Sequence, residues 1–259
     1  MTDTWDPQQY ERFTVERRQP FFDLLALVEP MPGGRVVDLG CGTGSLTVEL
    51  HRHTGAATTV GIDSSPAMLD EARRHEGDGL RFFPEDIAAF APVEPYDVVF
   101  ANASLQWVPD HPSLLTRLAR LLHDGGQLAV QVPANVDHPS HSVAASVANE
   151  APFREAMGGA PPADTVHSVS RPERYAELLH GLGFTHQHVR LQVYGHVLDS
   201  TADVVEWTKG TSLTRFRPLL SPELFDAFVD RYRERLVSVL GDHKPYFYAF
   251  KRILFWAQR

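Results

Sequence analysis

Residues 36–44 read Val-Val-Asp-Leu-Gly-Cys-Gly-Thr-Gly, a short apolar run followed by three glycines at alternate positions. The run predicts a buried strand over residues 35–39, and residues 44–53 predict a helix directly after the glycines. Glycines between a strand and a helix allow a tight turn and let a ligand come close to the backbone at the positive end of the helix. This stretch therefore predicts an α/β protein with a ligand-binding loop.

Strands and helices continue to alternate after this loop. We predict further strands over residues 58–63, 80–83, 96–101, 127–132, 188–194 and 247–256. We predict helices over residues 66–74, 112–122, 171–181, 201–210 and 222–240, with another inside residues 140–151. This alternation is typical of βαβ units, in which helices cover both faces of a parallel sheet.

We expect a single domain over residues 1–259. The last predicted strand is rich in aromatic residues and has to lie beside the sheet to bury them, which ties the end of the chain to the core. Two segments interrupt the alternation, at about residues 134–170 and 199–246, and we predict that they are helical insertions forming a cap over the substrate. A separate C-terminal domain is the alternative.

The charge is distributed unevenly along the chain. The chain has 24 basic and 33 acidic residues and a net charge of −9. Residues 1–206 have a net charge of −14, whereas residues 207–259 have a net charge of +5 and contain all the lysines. An acidic protein is not expected to bind nucleic acid, but a local basic patch can attract a small anion.

The composition also limits the compartment and the kind of site. The lone cysteine, Cys41, excludes an internal disulfide and a Cys-rich zinc site, and the histidine pairs lack nearby metal ligands. We find no apolar run of about 18 residues and no signal-peptide pattern at the polar N-terminus. We predict a cytoplasmic protein without a metal or a membrane, present as a monomer or a weak homo-oligomer.

The loop and the second strand together predict the ligand. Asp63 ends the second strand, where a carboxylate can accept hydrogen bonds from both hydroxyls of an adenosine ribose. A dinucleotide fingerprint needs a third glycine at position 45, and this chain has Ser45, which disfavours a nicotinamide dehydrogenase. Asp38 would repel a pyrophosphate but suits a ligand with an ammonium group. S-adenosylmethionine has an ammonium and a sulfonium and no phosphate.

The pattern Asp38-x-Gly40-x-Gly42-x-Gly44 resembles motif I of class I S-adenosylmethionine-dependent methyltransferases. Such a resemblance implies a Rossmann-like, mostly parallel seven-stranded sheet. It also implies that Asp86, after the third strand, holds the adenine amine. The resemblance assigns the methyl donor site to Asp38, Gly40, Gly42, Gly44, Asp63, Ser64, Met68, Asp86, Ile87 and Asn102.

Other stretches resemble the trans-aconitate 2-methyltransferases. They are Trp5-Asp6-Pro7 with Tyr10, Phe13, Arg17 and Pro20, then residues 61–68, 101–107, 131–135 and 139–141, and Glu206-Trp207. This resemblance implies a methyl ester formed on a small anionic polycarboxylate, trans-aconitate. Residues 211–246 match least well. The alternatives are O- or C-methylation of a malonyl thioester or a natural-product acceptor, and a non-catalytic sensor of an adenosine ligand.

A carboxylate acceptor requires no general base, because its pKa of about 4 leaves it ionised at neutral pH. We therefore predict no catalytic base and expect the chain to align the two reactants. The predicted substrate-binding residues are Tyr10, Arg17, Trp107, His141, Arg215, Arg217, Lys244 and Tyr246. Among them, Arg215 and Arg217 are expected in a loop between two cap helices, holding the remote carboxylates of the acceptor.

Overall fold

The computed structural model describes residues 14–259, except for the side chains of residues 14–17, 165 and 166. Its strands are β1 Arg35–Leu39, β2 Thr58–Asp63, β3 Leu80–Pro84, β4 Tyr96–Asn102, β5 Leu122–Pro133, β6 His186–Leu198 and β7 Tyr246–Gln258. Its α-helices are α1 Thr14–Leu25, α2 Ser45–Thr54, α3 Pro66–Ala72, α4 His111–Arg120, α5 Pro139–Ala148, α6 Phe153–Ala156, α7 Pro172–Gly181, α8 Asp203–Lys209 and α9 Pro222–Leu240. Among residues 14–259, no helix is long and apolar enough to cross a membrane.

The strands form a seven-stranded sheet in the order β3-β2-β1-β4-β5-β7-β6. Strands β1 to β5 pair in parallel, and β7 runs antiparallel to β5. The predicted mostly parallel sheet is therefore confirmed. The strand order reverses between β1 and β4, and in open α/β sheets such a reversal leaves a crevice at the carboxyl ends of the strands, where ligands bind.

Helices cover both faces of the sheet. On one face, Phe21 of α1 packs edge-on against Phe100 of β4, with ring centroids 5.3 Å apart. On the other face, the neighbouring residue Val99 belongs to a buried cluster that includes Leu118 of α4 and Leu179 of α7. Successive strand residues point to opposite faces, so a continuous apolar strand such as β4 stabilises both layers.

The described chain divides into two compact units. The sheet unit consists of residues 14–134, 168–192 and 251–259. The helical unit consists of residues 135–167 and 193–250 and has an apolar core of its own. Aromatic rings dominate that core: Phe228 lies 4.7 Å from Phe216 and 5.3 Å from Phe153 between ring centroids. Whether the helical unit caps a substrate stays a prediction.

Two expectations about local structure are wrong. Helix α4 ends at Arg120, and β5 begins at Leu122 rather than at residue 127, because Leu122 is buried and pairs with Tyr96 across an irregularity in register. Arg215 and Arg217 lie in a 3₁₀-helix, Ser212–Leu219, and not in a loop. The helix forms because Leu213 and Phe216, three residues apart, share a buried side.

Candidate functional site

The three glycines of the loop after β1 all have left-handed backbone conformations, for two different reasons. A Cβ at Gly40 would lie 2.4 Å from Ser104 Cβ, and a Cβ at Gly44 would lie 2.7 Å from the Phe82 ring. A Cβ at Gly42 would meet nothing within 4 Å. Packing within the protein therefore requires glycine at positions 40 and 44, whereas Gly42 borders open space in which a ligand can approach the backbone.

The loop is tied to the end of β2. The amides of Gly40 and Cys41 both donate to the carbonyl oxygen of Ile62, at 2.8 and 2.9 Å. The Gly42 amide donates to Asp63 Oδ2 at 2.9 Å. Burial raises the pKa of the Cys41 thiol, so this cysteine packs as a small thiol and does not serve as a thiolate nucleophile.

Asp63 joins the glycine loop to the start of α3. Its Oδ1 accepts from the amide of Ser65 at 2.9 Å, and its Oδ2 accepts from Gly42. A carboxylate has about four lone-pair sites and can accept several hydrogen bonds at once. Asp63 therefore suits a ligand with two neighbouring hydroxyl groups. Ser65 also begins α3 by accepting from the Met68 amide, while the side chain of Ser64 is exposed.

Asp38 is the second acid beside the loop. Its side chain is 4% exposed, and its Oδ2 accepts from the Thr47 hydroxyl at 2.7 Å. The pKa of Asp38 is raised to about 7, mainly by burial; the hydrogen bond from Thr47 lowers it and the nearby Asp63 carboxylate raises it, and this value includes all three effects. A cationic ligand group beside Asp38 would stabilise its ionised form.

The segment after β3 reaches the glycine loop. A Cβ at Gly40 would lie 3.6 Å from Ile87 Cδ1, so Ile87 borders the loop as predicted. Asp86 is exposed, and its Oδ1 accepts from the Ala88 amide at 2.8 Å. This bond caps the turn that follows Asp86, and its second carboxylate oxygen is available for the predicted contact with adenine.

The end of β4 is bound to the end of β1. Ser104 Oγ donates to the Leu39 carbonyl oxygen, and Gln106 Nε2 donates to the Ala103 carbonyl oxygen at 2.7 Å. Ala103 has a left-handed backbone with φ of 54°, which is unfavourable for a residue with a Cβ and is held here by these neighbours. Asn102 precedes this turn, and its buried Oδ1 accepts no hydrogen bond from any described residue.

A histidine supports this turn from behind. His111 Nε2 lies 3.0 Å from the Leu105 carbonyl oxygen and therefore donates to it. His111 Nδ1 then accepts from the Tyr175 hydroxyl, 2.5 Å away. Burial lowers the pKa of His111, so the neutral imidazole holds the 3₁₀-helix Leu105–Trp107 in place. Two carboxylates, an open loop and a buried amide oxygen thus lie at the carboxyl ends of β1, β2 and β4, and these groups suit a cationic ligand with two hydroxyls.

The sequence model of the methyltransferase domain family matches residues 12–189 of this chain. This chain belongs to the methyltransferase domain family. The trans-aconitate 2-methyltransferase of Deinococcus radiodurans is 43% identical over 259 residues, covering 99% of this chain and 98% of that protein. The trans-aconitate 2-methyltransferase of Methylobacterium nodulans is 42% identical over 234 residues, covering 90% and 89%. The predicted class of S-adenosylmethionine-dependent methyltransferases is confirmed.

Solved structures of low sequence identity share the fold. YcgJ from Bacillus subtilis superposes with a TM-score of 0.60 at 12% identity, covering 93% of this chain and 98% of that chain. Phosphoethanolamine N-methyltransferase 2 of Haemonchus contortus, solved in complex with S-adenosyl-L-methionine, superposes with a TM-score of 0.54 at 18% identity. It covers 93% of this chain and 52% of that chain.

The structure brings two of the predicted substrate-binding residues of this methyltransferase together within the helical unit. His141 Nδ1 lies 2.8 Å and Arg215 Nη1 lies 2.9 Å from Asp164 Oδ2. Arg215 also donates to the Ser212 carbonyl oxygen at 2.7 Å. The Arg215 side chain is 10% exposed, and its charge forms an ion pair with Asp164 within the helical unit. Its role in binding an acceptor stays a prediction.

The remaining predicted substrate-binding residues are dispersed. Lys244 and Arg217 are exposed, and Tyr246 has its hydroxyl 3.3 Å from His138 Nε2 in the helical unit. Trp107 is half-buried in the sheet unit. Tyr10 and the side chain of Arg17 lie outside the described part of the chain.

Sequence reasoning missed three residues beside the site, which are Gln106, Gln131 and Arg252. Gln106 and Gln131 lie inside stretches that resemble the family, so a signal was present. A neutral amide adds nothing to a pattern of charge along the sequence, whereas the exposed cations form such a pattern. Within residues 14–259, no three His, Cys, Asp or Glu side chains are grouped as metal ligands would be.

Proposed function

We propose that this methyltransferase transfers a methyl group from S-adenosylmethionine to a carboxylate of a short polycarboxylate, trans-aconitate, and forms a methyl ester. The observation that carries this proposal is the 43% identity over 99% of the chain with a protein named trans-aconitate 2-methyltransferase. The geometry of the loop and its two acids supports the choice of methyl donor.

The residues beside the loop fit the donor. When bound, S-adenosylmethionine supplies a methyl group that is already activated on a sulfonium. Asp63 accepts hydrogen bonds from the two ribose hydroxyls, and Asp38 stabilises the positive charge. The backbone at Gly42 leaves the room that the donor needs. Asn102 Oδ1 accepts from the ammonium group of the donor, which gives this buried oxygen its hydrogen bond.

The chain's contribution to the reaction is alignment. The acceptor carboxylate is ionised at neutral pH, so no residue has to remove a proton. Holding two reactants in line, with water excluded, contributes roughly 7–11 kcal/mol to lowering a barrier. The rigid turn at Ala103, fixed by Ser104, Gln106 and His111, gives the site the stiffness that alignment requires.

The test is methyl transfer itself. The protein is incubated with donor labelled in the methyl group and with a panel of di- and tricarboxylates, a malonyl thioester and a phenol. We expect labelled trans-aconitate, with label that mild alkali releases as methanol because the product is an ester. Transfer only to the thioester or the phenol would overturn the proposed acceptor, and donor binding without any transfer would indicate a sensor.

A further inference from the structure

Three buried polar atoms at the carboxyl ends of β4 and β5 make no hydrogen bond within the described part of the chain. They are Asn102 Oδ1, Gln106 Oε1 and Gln131 Nε2. The side chain of Gln131 is fully buried, and that of Gln106 is 7% exposed. Buried side-chain amides are normally paired with protein or water, so three such atoms in one place point to ligands.

The hydrogen bonds that each glutamine already makes show which atom of its side-chain amide is available to a ligand. Gln131 Oε1 accepts from Arg252 Nη1 at 3.1 Å, so Gln131 offers its Nε2 donor. Gln106 Nε2 donates to the Ala103 carbonyl oxygen, so Gln106 offers its Oε1 acceptor. The site thus offers a hydrogen-bond donor on β5 and acceptors at the end of β4.

Arg252 adds a positive charge beside the hydrogen-bond donor of Gln131. Its side chain is 5% exposed and hydrogen-bonds to Gln131, as described above. Gln131 lies opposite Leu254 of β7, two residues from Arg252, so both side chains lie on one face of the sheet. An amide donor beside a guanidinium is the arrangement that recognises a carboxylate.

The register of the sheet separates this carboxylate site from the methyl donor site. Asp38 and Asp63 lie on β1 and β2, on one side of the point where the strand order reverses. Asn102 lies opposite Gln131 on the neighbouring parallel strand, at the usual spacing of about 4.8 Å. A ligand that extends from Asp63 to Asn102 therefore ends next to whatever Gln131 binds.

We propose that Gln131 and Arg252 bind a carboxylate of the methyl acceptor, Gln131 through Nε2 and Arg252 through its guanidinium. The inference rests on the proposed function, which supplies an anionic acceptor. It assigns acceptor recognition to a fully buried amide and a buried arginine of the sheet unit, in place of the exposed cations of the basic C-terminal region.

The decisive variant is Gln131→Glu. It keeps an oxygen for Arg252 to bind, so the fold is retained, but it removes the Nε2 donor and places a negative charge beside the guanidinium, which repels a carboxylate. We expect the acceptor KM to rise by about 10- to 100-fold, as for the loss of a charge-assisted contact, with donor affinity unchanged. The thermal midpoint should stay level or rise, which distinguishes lost binding from lost structure.

Gln127→Glu is the matched control. Gln127 is fully buried on the same face of β5, four residues away, and its side chain bonds to Trp256 Nε1 and to the backbone of Glu29. Gln127→Glu should lower the thermal midpoint and leave the acceptor KM near the wild-type value.

A second variant, Arg252→Met, should raise the acceptor KM without affecting the affinity for the methyl donor. An acceptor analogue with one carboxylate replaced by a primary amide should recover affinity for Gln131→Glu.

The assay pairs methyl transfer with calorimetric binding of trans-aconitate in the presence of the demethylated donor. If wild type transfers methyl and Gln131→Glu behaves like Gln127→Glu, the inference is overturned and the proposed function stands. If wild type binds trans-aconitate through Gln131 but transfers nothing, the proposed function is overturned, and the carboxylate site at Gln131 and Arg252 stands as a binding site only. If wild type neither binds nor methylates any polycarboxylate, both are overturned.

Discussion

Two clusters of buried polar side chains, one in each unit, differ in how their hydrogen-bonding groups are paired. In the helical unit, Asp164 holds both His141 and Arg215, so the charge of Arg215 is paired within the protein, although Arg215 Nε makes no hydrogen bond to a described residue. In the sheet unit, Asn102, Gln106 and Gln131 each leave one buried polar atom without a partner among the described residues. An arginine that looks like a binding group in the sequence can thus serve the fold, while a neutral amide is left to bind a ligand.

The largest expected effect is on the free energy of unfolding, and it tests whether Arg215 stabilises the helical unit. Arg215→Ala leaves Asp164 buried without this cation and should destabilise the protein by about 3–5 kcal/mol. Arg217→Ala removes an exposed cation and should change the stability by about 0.5 kcal/mol or less. Urea unfolding measures both. If Arg215→Ala instead folds normally and raises the acceptor KM, the predicted arginine clamp is correct and Arg215 is a binding group.

The second effect is a pH dependence that originates in the sheet unit. The pKa of Asp38 is about 7 in the folded protein and about 3.9 in an unfolded chain. The folded state therefore binds this proton more tightly, and its contribution to stability is complete below about pH 4 and is lost as the pH rises through 7. Asp38→Asn removes this loss and should gain about 3 kcal/mol relative to wild type between pH 5 and pH 8.

Urea unfolding of both proteins at the two pH values measures this difference, in which the other titrating groups cancel. Donor affinity of the wild type should also fall below about pH 7, because a protonated Asp38 no longer attracts a cation. Stability curves that run parallel for wild type and Asp38→Asn would show that the carboxyl group titrates in its ordinary range.

The third effect is on donor affinity, which should depend on Asp63 of the sheet unit and not on Asp164 of the helical unit. Asp63→Ala would remove the two hydrogen bonds proposed to the ribose and should weaken donor binding about 100-fold. Asp164→Asn, in the helical unit, should lower the stability and leave donor affinity unchanged. Calorimetry with the demethylated donor measures both affinities. Equal donor binding by wild type and a folded Asp63→Ala would refute the ribose assignment.

The smallest effect distinguishes two glycines of one loop. Gly42→Ala places a methyl group in open space and costs about 1 kcal/mol of backbone strain, yet it should reduce donor affinity by filling the space that we propose for the donor. Gly40→Ala drives a methyl group into Ser104 and should mainly reduce the stability. Unfolding and donor binding are measured on both variants. The distinction fails if Gly42→Ala binds the donor as well as wild type does.

Elements governed by neighbouring residues could be predicted closely. The strands β1 and β2 and helix α9 have the predicted bounds, because short apolar runs and local caps define them. Ser221, for example, caps α9 by accepting from the Leu224 amide, three residues away. The start of β5 was missed because it depends on Tyr96 of another strand, and residues between 122 and 126 carry no strand pattern of their own.

The glycine loop, the acid that ends β2 and the alternation of strands and helices can be predicted from the sequence, since each depends on contacts between residues close in the chain. Which polar groups remain available for a ligand depends on packing between residues that are distant in the chain. Asp164 meets Arg215, and Gln131 meets Arg252, across 51 and 121 positions of sequence. Such pairings follow from packing. They decide whether the hydrogen-bonding groups of a buried charge or amide are all paired within the protein or remain available to a substrate.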